Sequence, residues 1–212
     1  MIKTYNDIIK SITTNKPFAF TRWGDGEWLN IRKSPGSNCD GNLYYHDLGD
    51  ELKSIVETKQ NYILGAQDKK WNLPSDVDNY PNQDWIDADI FHKASMGNKI
   101  FLLEEALQSK HVVYIGNKDL KHLSFINEFI EIPPNNVWLE REDVFNKVTQ
   151  TIEKNKHKVY CFSAGMATNV FIDKLWHFNM TQTYIDVGSV FDPYVGKITR
   201  SYHKNLKTKF NN

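Results

Sequence analysis

The residues best suited to chemistry stand together near the start of the chain, in Arg22-Trp23-Gly24-Asp25-Gly26-Glu27-Trp28. Two carboxylates lie two positions apart, each beside glycine, with an arginine just upstream. Oxygen donors of this kind suit a hard divalent cation, Mn²⁺ or Mg²⁺, and a guanidinium fork suits phosphate. In extended chain Asp25 and Glu27 would share a face and converge; on a helix, turning by about 100° per residue, they diverge. Gly24 and Gly26 let a ligand approach the main chain closely. A plainer alternative stands beside this: Asp25 N-caps the following helix and Glu27 occupies its favourable first turn.

Such a loop needs elements to hold it. Pro17-Phe18-Ala19-Phe20-Thr21 reads as a short buried strand, and Trp28 to Lys33 as the start of a helix. Before the strand, Tyr5, Ile8, Ile9 and Ile12 recur at helical spacing over residues 4 to 15. After the helix, Ser34 to Asn42 is a turn-rich loop facing the same site; Asp47 to Lys59 is helical and Tyr62 to Ala66 a strand. Residues 67 to 95 form an irregular insertion punctuated by Trp71, Pro74, Tyr80, Pro81 and Trp85, either an acceptor-binding lid or a surface excursion tied down by its aromatics. Alternation then becomes regular. A helix near 99–110 precedes a strand at 111–116, a helix begins near Asn117, and a short strand falls near 129–132. A helix over 142–154 leads to a strand at 157–163, a helix opens at Ala164, and a last strand covers 183–188. The expected fold is α/β and Rossmann-like, with a largely parallel sheet, helices on both faces, and one domain over residues 1–212.

In a parallel sheet, ligands bind beyond the carboxyl ends of the strands. Three further loops fall there: the one opening at Gly116, Ser163-Ala164-Gly165-Met166-Ala167, and Gly188-Ser189 through Asp192. Small residues at a helix start, as in Ser163-Ala164-Gly165, expose backbone N–H groups to an anion, although they equally permit tight packing. Asp186 is costly inside an apolar strand unless partnered or placed at the mouth of a site. Asp192, before Pro193, has ordinary turn chemistry as its plain reading.

The phrase Phe20-Thr21-Arg22-Trp23-Gly24-Asp25-Gly26-Glu27-Trp28 resembles the signature of glycosyltransferases of the GT-D fold, in which an Asp-X-Glu motif serves the metal. Ile115-Gly116 with Leu120, Ser163 to Ala167, and Ile185-Asp186-Val187-Gly188-Ser189 with Asp192 and Tyr194 resemble the family's later motifs, in the family's order. The resemblance implies a metal-dependent glycosyltransferase with a nucleotide-sugar donor, UDP-glucose or similar. Asp25 and Glu27 would hold Mn²⁺ or Mg²⁺. Arg22, Gly24, Gly26, Gly116, Ser163, Ala164, Gly165, Met166, Gly188 and Ser189 would bind substrate, and Asp186 and Asp192 are candidates for the general base. The acceptor would be a glycan or, since similar short proteins look phage-encoded, a hydroxymethylated pyrimidine of phage DNA, which would have to be flipped or exposed. A metal-dependent phosphodiesterase or nuclease, needing more carboxylates for two metals, and a non-catalytic binding module are the alternatives of another class.

Composition narrows the partners. With 26 basic and 26 acidic residues the chain has no global field for nucleic acid or anionic membrane. The basic stretch from His203 to Lys209 is expected to be a solvated, partly frayed terminus. Neither a signal-peptide core nor a bilayer-length apolar run is visible, so a cytoplasmic location is expected, in the host cytoplasm for a phage-encoded chain. Cys39 and Cys161 have no metal-binding spacing, and Cys161 reads as a small buried residue. His46, His111, His157 and His177 read as structural rather than as ligands.

Overall fold

The computed structural model describes residues 2–67, 76–153 and 156–205. Seven strands form one sheet in the order β3-β2-β1-β7-β6-β4-β5. They are β1 (Phe18–Trp23), β2 (Ile63–Ala66), β3 (Trp85–Asp87), β4 (Val112–Gly116), β5 (Glu128–Glu131), β6 (Val159–Phe162) and β7 (Thr183–Asp186). Every pairing is parallel, as the alternation of strands and helices requires. The chain moves outward from β1 through β2 to β3, then crosses to the other half of the sheet. Between β1 and β7 the strand order reverses, which is where an open parallel sheet forms its ligand crevice.

Helices cover both faces. On one side lie α1 (Tyr5–Thr13), α4 (Ile90–Met96) and α5 (Phe101–Gln108), whose apolar residues join Phe18, Phe20, Val112, Tyr114, Val159, Cys161 and Ile185. On the other lie α2 (Asp25–Ile31), α3 (His46–Glu57), α6 (Arg141–Gln150) and α7 (Ala167–Phe178), packed on Ala19, Trp23, Leu64, Val113, Ile115, Tyr160, Phe162 and Tyr184. Alternate residues of each strand thus feed opposite layers, the period-two geometry of a sheet buried on both sides. Helix α1 is started by a reciprocal cap: the Thr4 side chain accepts from Asp7 N–H and the Asp7 carboxylate accepts from Thr4 N–H.

Three local expectations need correction. Only a single 3₁₀ turn, Lys118–His122, follows β4 where a helix was expected near Asn117. Asn117 caps that turn, and the backbone becomes extended at Leu123, which ends it as Leu120, Leu123 and Phe125 sink into the core. The stretch at 67–95 is more regular than its composition suggests. Residues 68–75, with Trp71 and Pro74, lie outside the described residues, but the remainder supplies the 3₁₀ turn Asp76–Asn79, edge strand β3 and helix α4. Its aromatics do tie it down: Tyr80 stacks on Trp28 with ring centroids 6.0 Å apart, and Trp85 meets Trp23 and Trp28 edge-on. The third correction concerns the C-terminal stretch. Residues Ser201–Asn205 form a docked 3₁₀ turn with Tyr202 and His203 buried, not a solvated end. The lysines at 207 and 209 fall outside the described residues.

Candidate active site at the carboxyl edge of the sheet

Strand β1 ends by delivering Arg22 into the crevice beside β7. Its Nη2 donates to Asp186 Oδ1 at 3.1 Å, joining residues 164 apart in sequence. Both side chains are largely buried, at 17% and 8% exposure, so neither charge is left unpaired away from water. Burial opposes the Arg22 charge most, and the charge and hydrogen bond of Asp186, with Tyr202 and Glu27 adding to them, together hold the guanidinium charged. The cost that the sequence attached to an aspartate in this strand is therefore met by the arginine three residues before Asp25. Asn169, on the first turns of α7, donates from Nδ2 to the Arg22 carbonyl at 3.0 Å and fixes the strand end against that helix.

The acidic pair sits in the first turn of α2. An extended turn is not what forms: Gly24 is the N-cap, Asp25 opens the helix, and Glu27 is its third residue. The capping side chain is Glu27 rather than Asp25, its Oε2 accepting from Gly24 N–H at 2.9 Å. Asp25 is exposed, and its Oδ1 accepts from Gly26 N–H at 2.9 Å. Burial pushes the Glu27 carboxyl up to about 7, against the pull of the Gly24 N–H bond and with added repulsion from Asp186. Although the helix splays the two backbone positions, both carboxylates bear on one neighbour. Burial raises the Tyr44 hydroxyl, and the charges of Asp25 and then Glu27 raise it further. Gln67, just beyond β2, closes the turn from the other side, its Oε1 3.1 Å from where a Cβ on Gly24 would stand.

The loops after β6 and β7 complete the edge. Ser163 Oγ lies 2.7 Å from the Tyr114 hydroxyl and donates to the Gly188 carbonyl. Gly165 takes a left-handed φ of +59° against the Asn42 side chain, and α7 begins two residues later with no acid in its first turn. Gly188 has φ +51° and lies directly against the Arg22 guanidinium. Ser189 Oγ is 3.0 Å from the Tyr202 hydroxyl. Gly116 ends β4, and its hydrogen position faces the Tyr114 ring. Asp192 opens the 3₁₀ turn Asp192–Val195 after β7. Its Oδ2 accepts from Thr199 Oγ1, and burial raises its carboxyl above the ordinary range. Beside it, Arg200 pairs with Asp40 and Lys197 with Asp119.

Four neighbours escaped sequence reasoning: His92, Asp89, Gln67 and Tyr202. His92 Nε2 is 3.3 Å from Arg22 Nη1, its Nδ1 is 2.9 Å from Asp89 Oδ1, and Tyr202 stacks on its ring at 4.2 Å. The signal lay in Trp85-Ile86-Asp87-Ala88-Asp89, a strand-and-cap pattern hidden by the irregular residues before it. The four histidines read as structural lie elsewhere: His46 opens α3, His111 meets Glu128, His157 meets Thr183 Oγ1, and His177 meets its own helix at Asp173. Cys161 is fully buried.

A divalent cation is testable against these donors. Among the described residues no three His, Cys, Asp or Glu side chains form a ready-made cage. Asp25 and Glu27 offer carboxylate oxygens from the first turn of α2, the capping bond to Gly24 being made by Glu27 Oε2. That is an adequate protein share for an octahedral cation that keeps waters and takes its remaining ligands from a diphosphate. The donor set fits Mg²⁺ or Mn²⁺ and lacks the sulfur and imidazole that zinc favours.

Fold and site define an α/β protein whose parallel sheet gathers an arginine, two carboxylates and glycine-bearing loops at its switch point. Solved structures share this fold. One, described as a new glycosyltransferase of domain of unknown function 1792 from Streptococcus sanguinis, aligns with TM-score 0.67 at 15% identity over 92% of this chain and 84% of its own. A selenomethionine-substituted structure of domain of unknown function 1792 aligns with TM-score 0.65 at 15% identity, over 100% of this chain and 86% of its own. A third, in which that domain is described as having a distinct glycosyltransferase fold, aligns with TM-score 0.63 at 14% identity over 99% and 91%. No family model matches the sequence, and no curated protein matches it. What the likeness shows is the fold.

Proposed function

We propose that this chain is a metal-dependent glycosyltransferase that moves a hexose from a nucleotide-sugar donor, a UDP-sugar such as UDP-glucose, to a hydroxyl of a glycan acceptor. The observation that carries the reading is the convergence of Arg22, Glu27 and Asp186 at the switch point of a fold shared with proteins described as glycosyltransferases. Donor cleavage leaves charge on a diphosphate, so groups that stabilise that charge are what the reaction needs. Arg22, held on one side by Asp186, presents its remaining N–H groups to the phosphates. Asp25 and Glu27 hold the cation, which supplies Lewis-acid stabilisation of the leaving diphosphate when bound.

The start of α7 supports the other end of the donor. Its first turn carries no acid, and Gly165 brings the backbone close at the preceding bend. An anion there would meet the positive end of the helix dipole. Ser163, Ala164 and Met166 line that bend, and Gly188 and Ser189 line the adjacent one. For an inverting route two carboxylates stand as the base, Asp186 and Asp192. Asp186 is ion-paired to Arg22, whereas Asp192 Oδ2 accepts from the Thr199 hydroxyl, so Asp192 is the freer of the two to take a proton.

Neutral net charge favours a glycan over a DNA base as acceptor. The test is a screen of nucleotide sugars for Mn²⁺-dependent release of the nucleoside diphosphate, followed by glycans and by duplex or single-stranded DNA with hydroxymethylated pyrimidines. Release and transfer to a glycan support the reading. Transfer to DNA replaces the acceptor and keeps the chemistry, whereas cleavage of DNA without sugar overturns it.

A further inference from the structure

We propose that His92, backed by Asp89, is a positioning residue for Arg22, setting the angle of the guanidinium fork toward the donor's diphosphate; the role rests on the reading of the site given above. A guanidinium has five donors and no acceptor. Its Nη1 stands 3.3 Å from His92 Nε2, so that ring nitrogen has to accept and carries no proton. The proton of the neutral ring then belongs on Nδ1, and Nδ1 lies 2.9 Å from a carboxylate oxygen of Asp89. Asp89 is itself anchored, its N–H donating to Asp87 Oδ1 at 2.9 Å where β3 turns into α4. Tyr202 covers one face of the ring at 4.2 Å, and its hydroxyl is tied to Ser189.

Arg22 is therefore gripped at both terminal nitrogens, by Asp186 from β7 and by His92 from α4, with Gly188 beneath it. The chemical difference between the two grips matters. One carboxylate already balances the buried guanidinium charge, and a second would cancel its attraction for a phosphate. A neutral imidazole held in one tautomer orients the fork without adding negative charge. The Asp89 carboxylate lies within ion-pair distance of Nδ1 without an aligned hydrogen bond, its Oδ1 otherwise unpartnered, so its charge favours a proton on Nδ1. Sequence distance makes the contact unlike a packing accident of neighbours: residues 22 and 92 are 70 apart and come from β1 and α4.

Two measurements on the full chain decide the role. Long-range ¹H–¹⁵N NMR at neutral pH should show His92 as the Nδ1–H tautomer, with Nε2 unprotonated, and Asp89→Ala should turn it into a mixture. An Nε2–H tautomer in the unaltered protein overturns the proposal, and that result does not depend on any enzymatic activity. With the best nucleotide sugar, His92→Ala should lower kcat roughly tenfold to a hundredfold with little change in KM. His92→Gln, which keeps an acceptor near the reach of Nε2, should restore most of it. Added to Arg22→Lys, His92→Ala should cost less than about twofold more, because it acts through the arginine. Full additivity of the two changes, or a loss confined to thermal stability, overturns the positioning role. Absence of turnover with every nucleotide sugar counts against the transferase reading, and the tautomer then decides the grip on Arg22 alone.

Discussion

The Arg22 guanidinium lies where any side chain at residue 188 would have to go: a Cβ on Gly188 would stand 1.7 Å from Arg22 Nη2. The same glycine holds φ +51°, a region that L-residues enter only at a cost. Two constraints thus meet at one residue, backbone angle and the flat approach of the arginine that Asp186 holds.

Gly188→Ala should accordingly push Arg22 off Asp186 and strain the loop after β7. The expected loss is roughly 1–3 kcal/mol in unfolding free energy. Binding of UDP with Mn²⁺ should weaken at least about tenfold, measured by calorimetry beside urea unfolding of the same sample. An alanine variant of ordinary stability and undiminished binding would mean that the Arg22–Gly188 contact has no bearing on the site.

The two acidic residues should separate by phenotype. Asp25 is exposed and caps nothing beyond its own turn, so Asp25→Asn should leave stability within about 0.5 kcal/mol while removing most turnover. Glu27 caps Gly24, so Glu27→Ala should cost about 1 kcal/mol of stability as well as turnover, and Glu27→Gln, which keeps an acceptor, less stability. Near-normal turnover of Asp25→Asn and Glu27→Gln at saturating Mn²⁺ would remove the metal assignment. A loss of stability alone would leave only the helix cap.

Chelation makes the complementary test. EDTA should stop sugar release, Mn²⁺ or Mg²⁺ should restore it, and Zn²⁺ should do so poorly, because the donors are oxygens. Full activity after exhaustive chelation would mean that Asp25 and Glu27 act without a cation.

Much of this was legible before any coordinates. Alternating apolar strands and amphipathic helices dictated the parallel sheet, and Arg22, Asp186 and the glycine loops fell at one edge because parallel strands end there. What escaped depended on contacts between distant segments. His92 and Tyr202 gain meaning only once β3 pairs with β2 and the chain beyond β7 folds back across the edge. Periodicity cannot reveal a three-residue edge strand, nor show that Tyr202 and His203 would be buried. The conformation at Asp25 turned on capping chemistry. Glu27 reaching back to Gly24 fixes a helical start, a choice the spacing of the two acids left open.

His203 gives the fold a pH signature. Its Nδ1 accepts from Thr199 and Arg200 N–H at 3.2 Å each, and burial lowers the imidazole to about 4. The unfolded chain takes up a proton near pH 6.5 and the folded chain does not, so stability falls as pH drops from about 6.5 toward 4. Between pH 7 and 5 the expected loss from this group is about 2 kcal/mol. His203→Asn retains an acceptor and cannot titrate, so its melting temperature should depend less steeply on pH over that window. Equal slopes for the two proteins would assign the acid sensitivity elsewhere.

The most direct test of the central claim is a crystal structure of the chain soaked with UDP and Mn²⁺. The diphosphate is expected between Arg22 and the start of α7 near Gly165, with the cation on Asp25 and Glu27. Nucleotide density at the amino-terminal edge of the sheet, beside Thr183 and His157 and away from Asp25, would contradict it.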